Sequence, residues 1–99
     1  MATILFSGGV SFHNAIRLHV DNELSRIKPT LPEGIKIQFV LDEDCDHYFR
    51  AQIETKLAGR NIVSVAQNSN IFSAITNATE AVLYRLKEVE RTQLSIPVT

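Results

Sequence analysis

The sequence predicts an α+β fold of order β-α-β-β-β-α, a two-layer sandwich with two helices on one face of a four-stranded sheet. Three observations carry that prediction. Apolar residues recur at helical spacing in two segments, they alternate with polar residues in the stretch between those segments, and turn-forming residues separate the pieces. A length of 99 residues fits one hydrophobic core, with no room for a second domain and its linker. The domain is expected to span residues 3–91, with residues 92–99 as a flexible C-terminal tail.

The first strand is Thr3-Ile4-Leu5-Phe6, closed by a turn at Gly8-Gly9. A helix begins near His13 or Asn14. Ile16, Val20, Leu24 and Ile27 fall on one of its faces, while Arg17, Asp21, Arg26 and Lys28 lie off that stripe. Pro29 ends it, because proline lacks an amide hydrogen and disfavours helical geometry at the residue before it. From Ile35 the period drops to two. Ile35, Ile37, Phe39 and Leu41 form one face of a half-buried strand, and the acidic stretch Asp42 to Asp46 is expected to turn the chain.

Phe49, Ala51, Ile53, Thr55 and Leu57 then alternate with Tyr48, Arg50, Gln52, Glu54 and Lys56, the cleanest strand pattern in the chain. The polar set marks the sheet face left to water or to a partner. Ala58 to Asn61 is a tight turn into the strand Ile62–Ala66, and such short connections require antiparallel pairing. Gln67 to Asn70 reads as a polar loop ending in helix-capping residues. Ile71, Ile75, Ala78, Val82, Leu86 and Val89 make the stripe of a long final helix, with Arg85, Lys87 and Arg91 in its last turns, where cations complement the helix dipole.

Ten Lys and Arg against eleven Asp and Glu give a formal charge of −1, so there is no global electrostatic drive toward nucleic acid or an anionic membrane. The balance is uneven along the chain, because Asp42, Glu43, Asp44 and Asp46 concentrate acid in one short stretch and leave the remainder mildly basic. A single cysteine, Cys45, rules out an intramolecular disulfide and fits a reducing cytoplasm. No stretch approaches the roughly 18 apolar residues of a membrane span, and the N-terminus lacks a basic leader. The expected location is the cytoplasm.

Catalytic and metal chemistry find little support. Cys45 and His47 supply two possible ligands where zinc needs three or four, and the acidic stretch lacks the glycine and terminal glutamate of a calcium loop. Carboxylates around Cys45 would raise its pKa and weaken the thiolate. His13 and His19 are six residues apart and do not share a helical face; His19 reads as shielding a core edge. Gly8-Gly9 alone is a turn signal rather than a phosphate-binding fingerprint. We therefore expect no enzyme activity, no cofactor, no metal and no small-molecule substrate.

What remains is positive charge on the helices. Arg26 and Lys28 close the first helix, and Arg85, Lys87 and Arg91 close the second, so the two groups could line a shared ridge suited to phosphates. With Glu23, Glu88 and Glu90 interspersed, the same residues also read as ordinary solvated helix faces.

The order of elements and several local motifs resemble the short ribosome hibernation factors, the family of protein Y and the hibernation promoting factor. The resemblance is carried by Ala15-Ile16-Arg17-Leu18-His19-Val20, Leu24-Ser25-Arg26-Ile27, Ile62-Val63-Ser64-Val65-Ala66, the helix entry Asn70-Ile71-Phe72-Ser73-Ala74-Ile75 and Arg85-Leu86-Lys87. It spans roughly residues 3 to 91.

The resemblance implies a fold similar to the double-stranded RNA-binding domain with an added first strand. It implies binding to the small ribosomal subunit, through 16S rRNA near the decoding centre, where the protein blocks the mRNA and tRNA path and represses translation in idle or stressed cells. It further implies rRNA contacts at Arg17, Arg26, Arg85 and Lys87, with Lys28 and Arg91 close by. Tyr84 stands where the family usually carries a base, and it could stack on a nucleobase or simply be an exposed helix residue. The second domain with which longer relatives pair ribosomes is not expected here. An alternative also follows. With Ala81 and Tyr84 in place of bases and Gly8-Gly9 after the first strand, the chain could be a diverged member that has lost rRNA binding and serves as a protein-interaction module. A contiguous apolar patch at Phe72, Leu83 and Tyr84 would mark that alternative.

Overall fold

A computed structural model describes residues 2–6, 14–32, 34–43, 48–57 and 59–95, with side chains described from residue 14 to residue 89. The elements are β1 (Ala2–Phe6), α1 (Asn14–Ile27), a 3₁₀ turn (Lys28–Thr30), β2 (Ile37–Glu43), β3 (Phe49–Leu57), β4 (Arg60–Asn68) and α2 (Ile71–Ser95). Strands β2, β3 and β4 form an antiparallel meander. β1 runs parallel to β2 at its free side, with Ile4 in register with Phe39, so the sheet order follows the sequence. Parallel neighbours cannot be joined by a hairpin, and α1 is the crossover that the pairing demands.

Several boundaries differ from the sequence expectation for one reason. Where a partner strand offers a continuous ladder, polar residues extend a strand as readily as apolar ones. Asp42 and Glu43, expected in a turn, belong to β2 and register with Arg50 and Phe49. Gln67 and Asn68, expected in a loop, pair with Arg50 and Phe49 at the end of β4. Asn61, expected in the hairpin turn, pairs with Lys56. The turn is tighter than expected, since Leu57 faces Arg60 and Gly59 takes φ +76°, a left-handed geometry in which a side chain is strained. Helix α2 runs to Ser95, so residues 92–95 of the expected tail are helical. The Gly8-Gly9 turn, His13, Cys45, His47 and residues 96–99 lie outside the described residues.

Local chemistry fixes both ends of the helix layer. Asn70 caps α2, its side-chain oxygen accepting from the amides of Phe72 at 2.9 Å and Ser73 at 3.3 Å. Asn70's own amide donates to the Asn68 side chain at 2.9 Å, which turns the chain out of β4. At the other end Pro29 converts the α-helix into a 3₁₀ turn, and Thr30 closes it by donating to the Ile27 carbonyl at 2.6 Å.

The core lies between the helices and one sheet face. Val20 and Ile27 from α1, Ile75, Val82 and Leu86 from α2, and Phe39, Leu41 and Ile53 from the sheet are all buried. Each such side chain contributes about 1.5–3 kcal/mol relative to exposure. Every residue of the α1 stripe read from the sequence is buried, and in α2 Ala74 and Thr79 join it. Thr79 donates to the Ile75 carbonyl and Thr55 to the Lys36 carbonyl, each at 2.9 Å. The hydroxyl of Ser64, facing the same core from β4, has no hydrogen-bond partner among the described residues.

Candidate nucleic-acid interface

The two helices lie side by side and run in the same direction. The contacts show it: His19 meets Phe72 and Thr76, and nearly two turns further on Arg26 meets Glu80. The seam between them is therefore built from an i, i+4, i+7 row on α1, His19, Glu23 and Arg26, facing an i, i+4, i+8 row on α2, Phe72, Thr76 and Glu80.

Polar side chains hold this seam. The His19 ring stands edge-on to Phe72, with centroids 5.4 Å apart and planes at 86°. Its Nε2 shares a 2.9 Å hydrogen bond with the Thr76 hydroxyl and lies 3.9 Å from the Glu23 carboxylate. His19 thus shields the core edge, as its position in the sequence implied. Glu23 is the unexpected member. It is only 7% exposed, a carboxylate nearly enclosed between the helices. Arg26 compensates it, donating from Nη1 to Glu23 at 2.9 Å and from Nη2 to Glu80 at 2.9 Å. The Glu80 hydrogen bond, reinforced by the charge of Glu23, raises the Arg26 pKa above its ordinary value against the opposing effect of partial burial.

The structure separates the cations that the sequence offered as one ridge. Arg17 lies 4.0 Å from Asp21 on the exposed face of α1. Arg26 is engaged by two carboxylates. Arg85 turns away from the seam toward the sheet edge, where its Nη1 donates to the Val63 carbonyl at 2.5 Å. Counting outward from the Leu57–Arg60 closing pair, Val63 occupies a position whose carbonyl points away from β3, so Arg85 caps an outward-facing acceptor on the last strand. Tertiary partners thus engage Arg26 and Arg85.

Lys28, Tyr84 and Lys87 remain. Lys28 is exposed at the end of α1 and Lys87 is exposed on α2, and neither makes an ion pair with a described residue. Glu80, Tyr84 and Lys87 follow one another at spacings of four and three, so Tyr84 and Lys87 prolong the seam row beyond the Arg26–Glu80 bridge, level with the end of α1. Tyr84 is 66% exposed. The side chain of Arg91, one further turn along, lies outside the described residues. The seam is thus polarised. Carboxylates outnumber cations in its first half, and at its far end the α2 row continues with the exposed Tyr84 and Lys87, while Lys28, two residues after Arg26, lies off the seam face of α1. Such an end suits a phosphate beside a stacked base.

The apolar patch that would mark a protein partner does not form. Phe72 and Tyr84 are twelve residues, about 18 Å, apart along α2, and Leu83 packs against the core. Glu23 and Glu80 were missed in the sequence. A signal for Glu23 existed in its spacing of four from His19 and three from Arg26, whereas nothing local points to Glu80.

No family model and no curated protein sequence matches this chain. Solved structures do match. The N-terminal domain of protein Y from Thermus thermophilus superimposes with a TM-score of 0.75 at 20% identity, over 88% of this chain and 94% of that one. This chain has the protein Y fold. A ribosomal subunit interface protein from Coxiella burnetii gives the same TM-score at 16% identity, over 92% of this chain and 99% of that one. The protein Y fold bears out the resemblance read from the sequence motifs, and it includes the two helices laid over the antiparallel β2–β4 sheet.

Proposed function

We propose that this chain binds the small ribosomal subunit through the far end of its helix seam and represses translation by occupying the mRNA and tRNA path. The observation that carries this reading is the end-to-end match to a ribosomal subunit interface protein, which leaves almost nothing of that chain uncovered. Two features of the seam support it. Lys87 on the seam row and Lys28 beside its end make no ion pair with a described residue and can neutralise rRNA phosphates, and the exposed Tyr84 offers a stacking surface three residues before Lys87. The mechanism is steric exclusion and involves no reaction. The rRNA contacts assigned to Arg17, Arg26, Arg85 and Arg91 by resemblance are secondary in this reading, since the first three already hold protein partners.

The test is sedimentation of the purified protein with small subunits. Two lysine contacts correspond to a salt slope of about −1.4 to −1.8, or roughly a tenfold loss of affinity between about 50 and about 200 mM salt. Replacing both, Lys28→Glu with Lys87→Glu, should abolish pelleting while leaving the melting temperature unchanged. Pelleting that persists in that double variant removes this end of the seam from the interface.

A second reading, a module that binds protein rather than RNA, is favoured by one observation. The carboxylates of Glu23 and Glu80 cancel the central cation of the seam. It predicts no pelleting with small subunits even at low salt.

A further inference from the structure

Arg26 is held by two carboxylates of different character. Glu23 is enclosed between the helices, and a buried carboxylate left without its counter-ion would be strongly destabilising, so this bond belongs to the fold. Glu80 comes from the other helix and its side chain is 59% exposed. It needs no counter-ion for its own sake, because water solvates it, and exposed pairs of this kind hold weakly. The guanidinium presents its Nη1 edge to the structural partner and its Nη2 edge, at the seam surface, to the replaceable one.

A backbone phosphate offers oxygen acceptors that a guanidinium binds bidentately, and it comes as one of a closely spaced array of charges that a single carboxylate does not match. We propose that Glu80 is an internal competitor for phosphate at Arg26, so that RNA engages this guanidinium only by displacing the Glu80 carboxylate. This rests on the RNA-binding reading above for the identity of the anion. Glu80 then sets how far along the seam a nucleic acid is gripped. A loosely held polyanion meets Lys28 and Lys87 alone, and only a backbone with a phosphate placed over Arg26 recruits the additional contact. Arg26 keeps its bond to Glu23 throughout, so the exchange requires no rearrangement of the helices.

The experiment compares the wild type with Glu80→Gln, which keeps the side-chain shape and removes the charge, and with Glu80→Ala as a second variant. The probe is a fluorescein-labelled RNA duplex followed by anisotropy across a salt series, alongside sedimentation with small subunits. Freeing one cation should steepen the salt slope by about 0.9 and tighten binding about eightfold near 0.1 M salt. The gain should vanish when the same Glu80 change is made in a Glu23→Gln, Arg26→Gln background, which removes both buried partners together so that no carboxylate is left without its counter-ion, and which separates release of Arg26 from a general change in net charge. Equal affinity and slope for both Glu80 variants and the wild type, a gain that survives without Arg26, or no duplex binding by any variant each overturns the proposal. Wild-type protein that fails to pellet with small subunits while Glu80→Gln gains duplex affinity refutes the ribosomal reading and leaves the competition standing. Pelleting of wild type with no Glu80 effect does the reverse.

Discussion

Ser64 gives a prediction whose sign runs against the usual result of a core substitution. Its hydroxyl faces the core from β4, between Ile62 and Ala66 and opposite Ile53, and it has no hydrogen-bond partner among the described residues. A buried donor without a partner costs about 1–3 kcal/mol. Ser64→Ala removes that cost and leaves an oxygen-sized gap of roughly 12 Å³, which at about 24 cal/mol per Å³ takes back only about 0.3 kcal/mol. The net effect is a stabilisation of about 1 kcal/mol or more. For a domain of this size, that corresponds to a rise in melting temperature of about 4–8 °C per kcal/mol. Thermal unfolding followed by far-ultraviolet circular dichroism measures it directly. Ser64→Thr is the control, because it keeps the hydroxyl and adds a methyl to a filled core, and it should give no gain. A fall in melting temperature for Ser64→Ala would show that the hydroxyl is bonded in solution and that the reasoning fails.

Two further predictions concern the elements that carry the seam. Asn70→Ala removes the acceptor for the first amides of α2 and should cost about 1 kcal/mol, seen as a lower denaturation midpoint with an unchanged slope. Ile75→Asp places a charge without a partner at a fully buried position, which should abolish cooperative unfolding in a domain whose total stability is about 5–15 kcal/mol. Ile75→Val, costing about 0.5–1.5 kcal/mol, should still melt cooperatively, and a normal melt for the Asp variant would mean that α2 does not bury this face.

The parts of this fold legible in the sequence are those set by periodicity. The α1 stripe Ile16, Val20, Leu24 and Ile27 and the β3 alternation around Ala51, Ile53 and Thr55 mark faces that must be buried, and they are. Strand ends were less legible. Asp42, Glu43, Gln67 and Asn68 continue their strands because partners across the ladder satisfy the backbone, and side-chain polarity carries no record of that. The site was least legible. Arg26 and Glu80 are 54 residues apart and Arg85 and Val63 are 22, so a count of cations in the sequence could not tell which of them already had a partner in the fold. Glu23 was masked differently. A charged residue beside an apolar stripe reads as solvated until the second helix is laid over it.

The Arg85 bond to Val63 has a consequence for how the sheet ends. β4 is an edge strand, and its outward carbonyls could template another strand from a neighbouring molecule. A guanidinium fixed on one of those acceptors withdraws it from any such ladder and sets a permanent positive charge beside the edge. A second chain approaching in register would have to strip that bond and bury the charge. The same arginine that a tally of bases enrols for RNA therefore also occupies an acceptor that sheet growth at this edge would need.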